Sequence, residues 1–322
     1  MAAVILSRLR WAVVVILAVC GVAFMLTFIV PSDPARSILG AHATPEALAR
    51  VRASLGLDRP PLDQLLAYLG RLIQGDLGVS YQLGGVRVLD LILAKLPATI
   101  MLAFAGVAVG LSIGCVAGVA AARRPGGTVD RVAAVIGSFV VSLPTFLIAL
   151  VLLDLFATRL GWVPLRDTVF DPLDLRALAL PAIVLGLAVM PQYLRVCRTA
   201  MREQLHQDYI RTARAKGLTE RRTVWRHGMR NALPTMVTQV GLDLGLLLGG
   251  VVVVESVVGW PGIGRQAVAA ITSEDIPVLM GTLLLSTVCI VVANSRCTGC
   301  ACCSSSSPRS SGSCSGFWAR RN

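Results

Sequence analysis

Six long stretches of uncharged residues constrain this chain more than any other feature of its sequence. A helix needs about 20 apolar residues to cross a hydrocarbon core roughly 30 Å thick. Stretches of about this length cover residues 11–31, 96–122, 132–153, 177–194, 232–254 and 276–295. Only Asp243 places a charge inside one of them. We therefore predict an all-α polytopic membrane protein with six transmembrane helices.

The composition agrees with a membrane protein and excludes a soluble enzyme. Hydrophobic residues make up 55% of the 322 residues and charged residues only 15%, with a mean hydropathy of +0.72. A soluble domain must cover its surface with more charge than this. Residues 11–31 could be a signal peptide, but the apolar stretch exceeds the usual length of about 7–15 residues. We therefore interpret the stretch as an uncleaved first helix.

The distribution of charge predicts how the chain is oriented. A net charge of +12 would suit nucleic acid on a soluble protein, but in membrane proteins cations collect in the cytoplasmic loops. With both termini inside, the inner parts carry 19 of the 30 cations and four acids, against 11 cations and 11 acids outside. We predict an N-in, C-in orientation in a lipid bilayer and no nucleic-acid partner.

The sequence divides into four parts. Residues 1–31 hold the N-terminus and first helix, 32–95 form an extracytoplasmic insertion, 96–294 form a five-helix core with a cytoplasmic loop at 197–234, and 295–322 are a tail rich in Cys and Ser. In the insertion, Thr44 followed by proline marks a helix start, and leucines at helical spacing predict a second helix over 62–73. The alternative is a loosely structured loop.

Two of the apolar stretches carry glycine at every fourth position. These glycines are Gly106, Gly110, Gly114 and Gly118 in one stretch, and Gly241, Gly245 and Gly249 in the other. Small residues on one helical face let neighbouring backbones approach closely in lipid. Each stripe serves helix packing or lines a pathway, and the two interpretations are compatible.

The cytoplasmic loop at 197–234 is too charged to enter lipid and too helix-prone to be a linker. Residues 204–216 contain no Gly or Pro and predict one helix. Gly217 follows its last turn, where Arg214 and Lys216 are cations that suit the negative end of a helix. A second helical piece starts near Thr219. It carries Arg221, Arg222, Arg226 and Arg230. Such a segment could transmit force from a soluble partner or bind anionic headgroups.

Several short motifs in this chain form a recognisable set. Residues 208–218 read DYIRTARAKGL, followed by WRH at 225–227, RNALP at 230–234, VESV at 254–257 and GWPGIG at 259–264. Upstream stand PSDPA at 31–35, LGLD at 55–58, GDLG at 75–78 and LPAT at 96–99. Over residues 5 to 294 the chain resembles the inner-membrane permeases of ABC transporters. Within these it is similar to the first permease subunit of the dipeptide, oligopeptide and nickel importers.

The resemblance implies a type I ABC importer permease fold in the cytoplasmic membrane of a bacterium. It implies a second, homologous permease subunit, two cytoplasmic ATPase subunits and an extracytoplasmic substrate-binding protein as partners. The general permease pattern has Glu-Ala-Ala six residues before the loop glycine, where this chain has Arg211-Thr212-Ala213, a variant familiar in the peptide branch. The spacing from Gly217 to Pro234 is also longer than in the general pattern.

The resemblance assigns coupling to the ATPases to one set of loop residues. They are Asp208, Tyr209, Arg211, Thr212, Ala213, Arg214, Ala215, Lys216, Gly217, Leu218, Asn231, Leu233 and Pro234. A Walker A loop needs Gly-Lys-Ser/Thr, and neither Lys95 nor Lys216 follows a glycine. We predict a transport subunit rather than an enzyme, with no catalytic residues and no cofactor of its own, whose partner subunits use ATP and Mg.

A translocation pathway or gate is predicted at a second set of residues. A carboxylate in mid-membrane costs on the order of 2.5–3.5 kcal/mol and faces a bundle interior or a cavity, so Asp243 could meet a substrate amine, line a seam between subunits, or bond a neighbouring helix. Glu255 precedes Trp260, Pro261 and Gly262 near the outer face. These four residues could form a gate or only fix a turn.

No metal site is predicted. His42, His206 and His227 lack ligand spacing, and the scattered cysteines are interpreted as small apolar residues.

In the tail, Cys297 and Cys300 form a single Cys-x-x-Cys, a weak zinc or redox signal. A one-base shift of a plausible coding sequence for 295–303 yields AVYGLRLL, an apolar ending typical of such permeases. We interpret the tail as frameshifted or non-native.

The expected function is uptake of di- and oligopeptides by alternating access. The resemblance leaves nickel, glutathione and haem-like cargo as alternatives. A hypothesis of another class is a secondary transporter or channel that acts without an ATPase. Such proteins use broken helices from inverted halves or intramembrane charges, whereas this sequence has one mid-span acid and no visible repeat.

Overall fold

The computed structural model describes residues 2–29, 34–39, 44–55, 58, 60–162, 175–249 and 251–304. Within these ranges nearly every residue is helical, and one antiparallel bridge joins Val79 to Arg87. The helices are α1 Ala2–Ile29, α2 Pro34–Leu39, α3 Pro45–Leu55, α4 Pro61–Ile73, α5 Val88–Arg123, α6 Thr128–Ser142, α7 Thr145–Leu153, α8 Leu175–Leu205, α9 Asp208–Ala215, α10 Glu220–Arg222, α11 Met229–Leu248, α12 Val252–Val258, α13 Ile263–Thr272 and α14 Ile276–Ser304. π-Helical turns extend α7 over Asp154–Arg159 and join α10 to α11 over Thr223–Gly228. The all-α prediction is confirmed for these ranges.

Some sequence predictions fall outside the described residues. They are the tail from residue 305 onward, the first three residues of the PSDPA motif and the central Gly-Leu of LGLD. The last helix, α14, continues ten residues beyond the predicted core boundary at 294.

Among the described residues, two helices, α5 and α8, are long and apolar enough to cross a membrane. Two further crossings result if each of the bent pairs α6–α7 and α11–α12 counts as one, and shorter apolar stretches lie at 10–25 in α1 and 276–292 in α14. Each predicted apolar stretch therefore coincides with a helix or a bent pair.

The stretch at 132–153 is a bent pair rather than the single straight helix that hydropathy predicts. Helices α6 and α7 meet at 94°, and Leu143 between them has an extended backbone. Proline has no amide hydrogen and disfavours helical backbone at the residue before it, so Pro144 explains the break. A second bend, of 59°, separates α11 from α12.

The centre of the fold is the packing of α5 against α8 along a glycine stripe. A Cβ atom on Gly114 would lie 2.7 Å from the Tyr193 Cβ and 2.8 Å from the Met190 carbonyl oxygen. The other members of the stripe meet Leu185, Gly186, Val189 and Cys197 in the same way. The two backbones approach so closely that only glycine fits, which supports the packing interpretation of this stripe.

The predicted helices of the insertion are present. The Thr44 Oγ1 accepts a hydrogen bond from the Ala47 N–H at 3.3 Å at the start of α3, and α4 ends before Gly75, which has a φ of +78°. Tyr68 of α4 packs with Cys20 of α1 and Met280 of α14. The loosely structured alternative is therefore wrong for α3 and α4, and the insertion is attached to the bundle through α4.

Candidate functional site

Most of the predicted coupling residues lie on or beside the short helix α9. The prediction of one helix over 204–216 is wrong, because α8 ends at Leu205 and the extended residue Gln207 precedes α9. Neither Gly nor Pro marks this break in the sequence. Asp208 occupies the first turn, where its charge interacts favourably with the positive end of the helix dipole.

One face of α9 is fixed to the bundle and the other is exposed. Ile210 and Ala213 are buried, and α9 contacts the π-helical turn that follows α10. An eight-residue helix is too short to be stable alone, so these contacts hold it in place. The exposed residues are Asp208, Tyr209, Arg211, Thr212, Arg214 and Ala215. Of the predicted coupling residues on α9, all except Ala213 can therefore be reached from solvent.

The turn after α9 fixes the direction in which the chain returns to the bundle. Gly217 has a φ of +75°, and its N–H donates to the Arg214 carbonyl at 2.9 Å, while the Leu218 N–H donates to the Ala213 carbonyl at 3.3 Å. Arg214 also forms an ion pair with Glu220 of α10, with Nε to Oε1 at 2.8 Å. The exposed Lys216 lies in this turn. Helices α9 and α10 are thus joined by both a turn and a side-chain pair.

The chain is continuously helical from α10 through the π-helical turn into α11. The apolar stretch predicted at 232–254 begins inside this helix, and α11 runs through Leu233 and Pro234 without a break. Its buried face packs on α8, because a Cβ on Gly228 would lie 3.1 Å from the Met201 Cε. The predicted coupling residues Asn231, Leu233 and Pro234 are all exposed.

Glu255 of α12 is fully buried and holds the start of α13. Its Oε2 accepts hydrogen bonds from the Gly264 N–H at 2.6 Å and the Arg265 N–H at 3.1 Å. Its other oxygen is bound by Thr99 of α5. A carboxylate at the N-terminus of a helix accepts hydrogen bonds from backbone N–H groups that would otherwise lack partners. Glu255 therefore joins α5, α12 and α13.

The Trp-Pro-Gly motif packs around this carboxylate. The Trp260 indole N–H donates to the Ala98 carbonyl at 2.9 Å, and Arg265 Nη1 donates to the Gly259 carbonyl at 2.6 Å. Any side chain at Gly262 would overlap the Glu255 carboxylate, and Pro261 lies between Trp260 and Gly262. The motif and Glu255 form one connected unit, which supports a role in fixing the turn.

Asp243 lies apart from both groups, between α8 and α11. Gln239, one turn earlier in α11, donates to its Oδ1 at 3.0 Å. The Asp243 Oδ2 and the Tyr193 hydroxyl of α8 are both buried and lie near each other, and neither has a hydrogen-bond partner within normal geometry among the described residues. This geometry favours the helix-to-helix interpretation of Asp243, and its role in a pathway stays a prediction.

An ion pair between Asp130 and Arg198 was not foreseen from the sequence. Arg198 Nη2 donates to Asp130 Oδ2 at 2.8 Å, its Nε lies 2.5 Å from Oδ1, and the Gly126 N–H donates to Oδ2 at 2.9 Å. Asp130 precedes the apolar stretch that begins at Val132. The hydrogen bonds from Arg198 and from Gly126 hold the pKa of this carboxyl below its usual range. The pair fastens the α5–α6 turn to α8.

A second unforeseen contact anchors the insertion to the opposite end of the core. The buried Asp275, before α14, accepts hydrogen bonds from the Ser80 hydroxyl and, at 3.2 Å, from the Tyr81 N–H. Gln82 also donates to the Ser273 carbonyl at 3.0 Å. The sequence Asp-Ile-Pro marks a helix start, but it does not indicate which loop would bind the carboxylate.

The described side chains form two separate groups of predicted site residues, one around α9 and one around Glu255. They include no cluster of three or more His, Cys, Asp or Glu suited to a metal ion. The arrangement offers an exposed, charged helix for docking and a set of buried hydrogen bonds that joins helices. It does not assemble an acid, base and nucleophile.

Two family descriptions match this chain. Residues 110–295 match the binding-protein-dependent transport system inner membrane component. Residues 1–103 match the N-terminal family of the same membrane components.

Three relatives illustrate the similarity. A protein of Brucella suis named as a peptide permease is 37% identical over 297 residues, which cover 90% of this chain and 93% of that protein. The oligopeptide transport system permease protein AppB of Bacillus subtilis is 35% identical over 300 residues, or 91% of this chain and 95% of AppB. The glutathione transport system permease protein GsiC of Escherichia coli is 35% identical over 290 residues, or 90% and 93%.

The family resemblance inferred from the motifs is confirmed, and the chain is a transport subunit of a bacterial inner membrane rather than an enzyme. It belongs to the family of binding-protein-dependent transport system inner membrane components.

Proposed function

We propose that this chain is the permease subunit of an ATP-driven ABC importer that carries di- and oligopeptides across the inner membrane. Relatives named for peptide, oligopeptide and glutathione transport each match about nine-tenths of the chain. A second permease completes the pathway, two ATPase subunits supply the energy and an extracytoplasmic binding protein delivers the peptide. Substrate passes by alternating access between the two permeases.

The proposal includes six membrane crossings with both termini in the cytoplasm. The crossings are α1, α5, the α6–α7 pair, α8, the α11–α12 pair and α14. Helix α9 then lies on the cytoplasmic face, and the Glu255 group lies near the outer face with the insertion. The excess of cations in the inner loops supports this orientation.

The observation that carries the proposal is the placement of α9. Its exposed face can bind a groove on an ATPase, while Ile210 and Ala213 fix its other face to the bundle. A two-residue link joins α9 to α8, and the Gly217 turn with the Arg214–Glu220 ion pair joins it to α10 and α11. A displacement of α9 by the ATPases would therefore move α8 and α11. Because α8 is packed backbone to backbone on α5, α5 would move with it.

Glutathione is a second candidate cargo, because a relative named for glutathione transport matches the chain as well as one named for oligopeptide transport. GsiC, named for glutathione transport, matches this chain at the same identity as AppB. Glutathione is a short peptide-like molecule, so both cargoes require a pathway for charged, flexible backbones. Ligand binding to the partner binding protein distinguishes them.

Reconstitution in proteoliposomes tests the proposal. The chain is combined with its second permease, both ATPases and the binding protein, and uptake of a labelled dipeptide is measured with ATP inside. We expect uptake that needs ATP and every partner. Replacing Tyr209 and Arg211 by alanine should reduce co-purification of the ATPases and uptake together, whereas Arg50→Ala on the exposed face of α3 should leave both unchanged. Uptake by this chain alone under an ion gradient would contradict the proposal.

A further inference from the structure

The exposed face of the helix that runs from α10 into α11 changes from basic to apolar along its length. Arg222, Arg226 and Arg230 are exposed at intervals of four residues, and Leu233 and Val237 continue the same exposed stripe. The last two side chains are 45% and 65% exposed. This stripe of five residues is called the basic-to-apolar stripe below.

The opposite face of the same helix is packed against the bundle, so the orientation of the stripe is fixed. Val224, Ala232 and Met236 are buried in one cluster with Met201 of α8, and Gly228 approaches Met201 closely. Residues spaced by three or four lie on one side of an α-helix, and the five residues of the stripe are exposed along α10, the π-helical turn and α11. The arginines therefore point away from the bundle.

The three arginines of the stripe have no acidic partner among the described residues. Ion pairs connect Arg198 to Asp130, Arg211 to Asp208 and Arg214 to Glu220, but no carboxylate in the described part of the chain lies within ion-pair distance of Arg222, Arg226 or Arg230. Trp225, 45% exposed, stands beside them. Tryptophan collects at the level of the lipid headgroups, and clustered arginines next to a membrane helix attract anionic lipids.

We propose that the basic-to-apolar stripe binds an anionic phospholipid, with the phosphate on the arginines and an acyl chain along Leu233 and Val237. The helix rises about 1.5 Å per residue, so Val237 lies about 10 Å deeper than Arg230. A phospholipid presents charge and hydrocarbon in the same order. A soluble ATPase could meet the arginines and the predicted coupling residue Leu233 but not Val237, which lies deeper, and a second permease would need acids to pair with the arginines. The inference takes its orientation from the proposed function but concerns a different surface from α9.

Lipid retention by the full-length chain in mild detergent tests this inference. Native mass spectrometry counts bound lipid after addition of phosphatidylglycerol or, in parallel, phosphatidylcholine. We expect retained phosphatidylglycerol in the wild type. Each of Arg222→Gln, Arg226→Gln and Arg230→Gln should weaken it about fivefold, and the three together should abolish it. Binding of phosphatidylcholine should not change.

The matched control removes three cations from the neighbouring α9 region, where no exposed apolar stripe follows. Arg211→Gln, Arg214→Gln and Lys216→Gln together should reduce co-purification of the ATPases but retain phosphatidylglycerol. Arg222→Lys, Arg226→Lys and Arg230→Lys together keep the charge and should retain lipid. This result would show that the three positions tolerate substitution, so loss of lipid in the glutamine variant would come from loss of charge and not from misfolding.

Two results would overturn the inference. One is equal retention of phosphatidylglycerol by the stripe variant and the α9 variant. The other is loss of ATPase association in the stripe variant with lipid unchanged, which would assign the arginines to the ATPases. Neither result depends on peptide uptake, so failure of the proposed transport function is distinguished from failure of this inference.

Discussion

The Thr99 hydroxyl donates a hydrogen bond to the buried carboxylate of Glu255, with Oγ1 to Oε1 at 2.8 Å. The same hydroxyl oxygen accepts the Ile263 N–H at 2.9 Å. Thr99 of α5 therefore hydrogen-bonds both to the Glu255 carboxylate, which binds the start of α13, and to the first backbone N–H of α13. The LPAT motif and the VESV–GWPGIG region, 156 residues apart in the sequence, meet in one connected set of buried hydrogen bonds.

Thr99→Val should destabilise the protein, because it leaves the Glu255 oxygen and the Ile263 N–H unsatisfied in a buried place. The expected loss in the free energy of unfolding is about 1–3 kcal/mol. Equilibrium unfolding in mixed micelles measures it, alone and combined with Glu255→Gln. Residues in one network are coupled, so the double variant should lose less than the two single losses added together.

The control for this prediction is Ser112→Ala. The Ser112 hydroxyl bonds only the Ala108 carbonyl of its own helix, on an exposed face, so its removal should have little effect. Strict additivity of Thr99→Val and Glu255→Gln would show that the two side chains act independently and would contradict the network.

Local features of this fold could be predicted from the sequence, whereas contacts between distant segments could not. Thr44 and Pro45 mark the start of α3, and Gly217 marks the left-handed turn after α9, because each depends on the backbone preferences of one or two residues. Pro144 also stands in the sequence, but a hydropathy count treats it as one more uncharged residue and misses the 94° bend.

The contacts of Glu255 and Asp243 could not be predicted from the sequence, because a carboxylate in an apolar stretch does not indicate which residue it binds. From the sequence alone, each acid could contact cargo or hold helices together. The hydrogen bonds of Glu255 to α13 and to Thr99 favour the second role for Glu255. Asp243 bonds Gln239 of its own helix and lies near Tyr193 of α8, which is consistent with contact between α8 and α11. The break before α9 has no local signal at all, because Gln207 is an ordinary helix former.

Gly114→Ala should destabilise the bundle, because the new methyl group would overlap the Tyr193 Cβ and the Met190 carbonyl. Overpacking of this kind costs about 1–3 kcal/mol. Gly137→Ala in α6 is the matched control, since no atom lies within 4 Å of its Cβ position and alanine favours a helix over glycine by about 1 kcal/mol. Thermal unfolding in detergent should therefore shift in opposite directions. A stabilising Gly114→Ala would show that α5 and α8 are not in backbone contact.

Asp130→Asn should lower the unfolding temperature at neutral pH, because it leaves Arg198 without its carboxylate. The pKa of Asp130 is lowered in the folded protein, so its stabilising effect is present above the ordinary carboxyl pKa and is lost as the pH falls through the folded value. The difference between wild type and variant should therefore shrink in acid.

The comparison for the Asp130 variant is Asp154→Asn. Asp154 also pairs with an arginine, Arg159, at 2.9 Å, but both side chains are more than half exposed, and exposed pairs stabilise little. Equal effects of the two substitutions, or a difference at Asp130 that grows in acid, would contradict a structural role for the Asp130–Arg198 pair.

Gly217→Val should uncouple ATP hydrolysis from uptake, because valine strongly disfavours the φ of +75° that directs the chain from α9 back to α10. No atom lies within 4 Å of the Gly217 Cβ position, so the effect would come from backbone strain and not from a clash. Strain of this kind costs about 1–3 kcal/mol, which corresponds to a loss of uptake of about fivefold or more. Gly217→Asn is the matched control, because asparagine tolerates left-handed backbone. Peptide uptake and ATPase rate are measured together in proteoliposomes. Full uptake by the valine variant would show that the conformation of this turn is not needed for coupling.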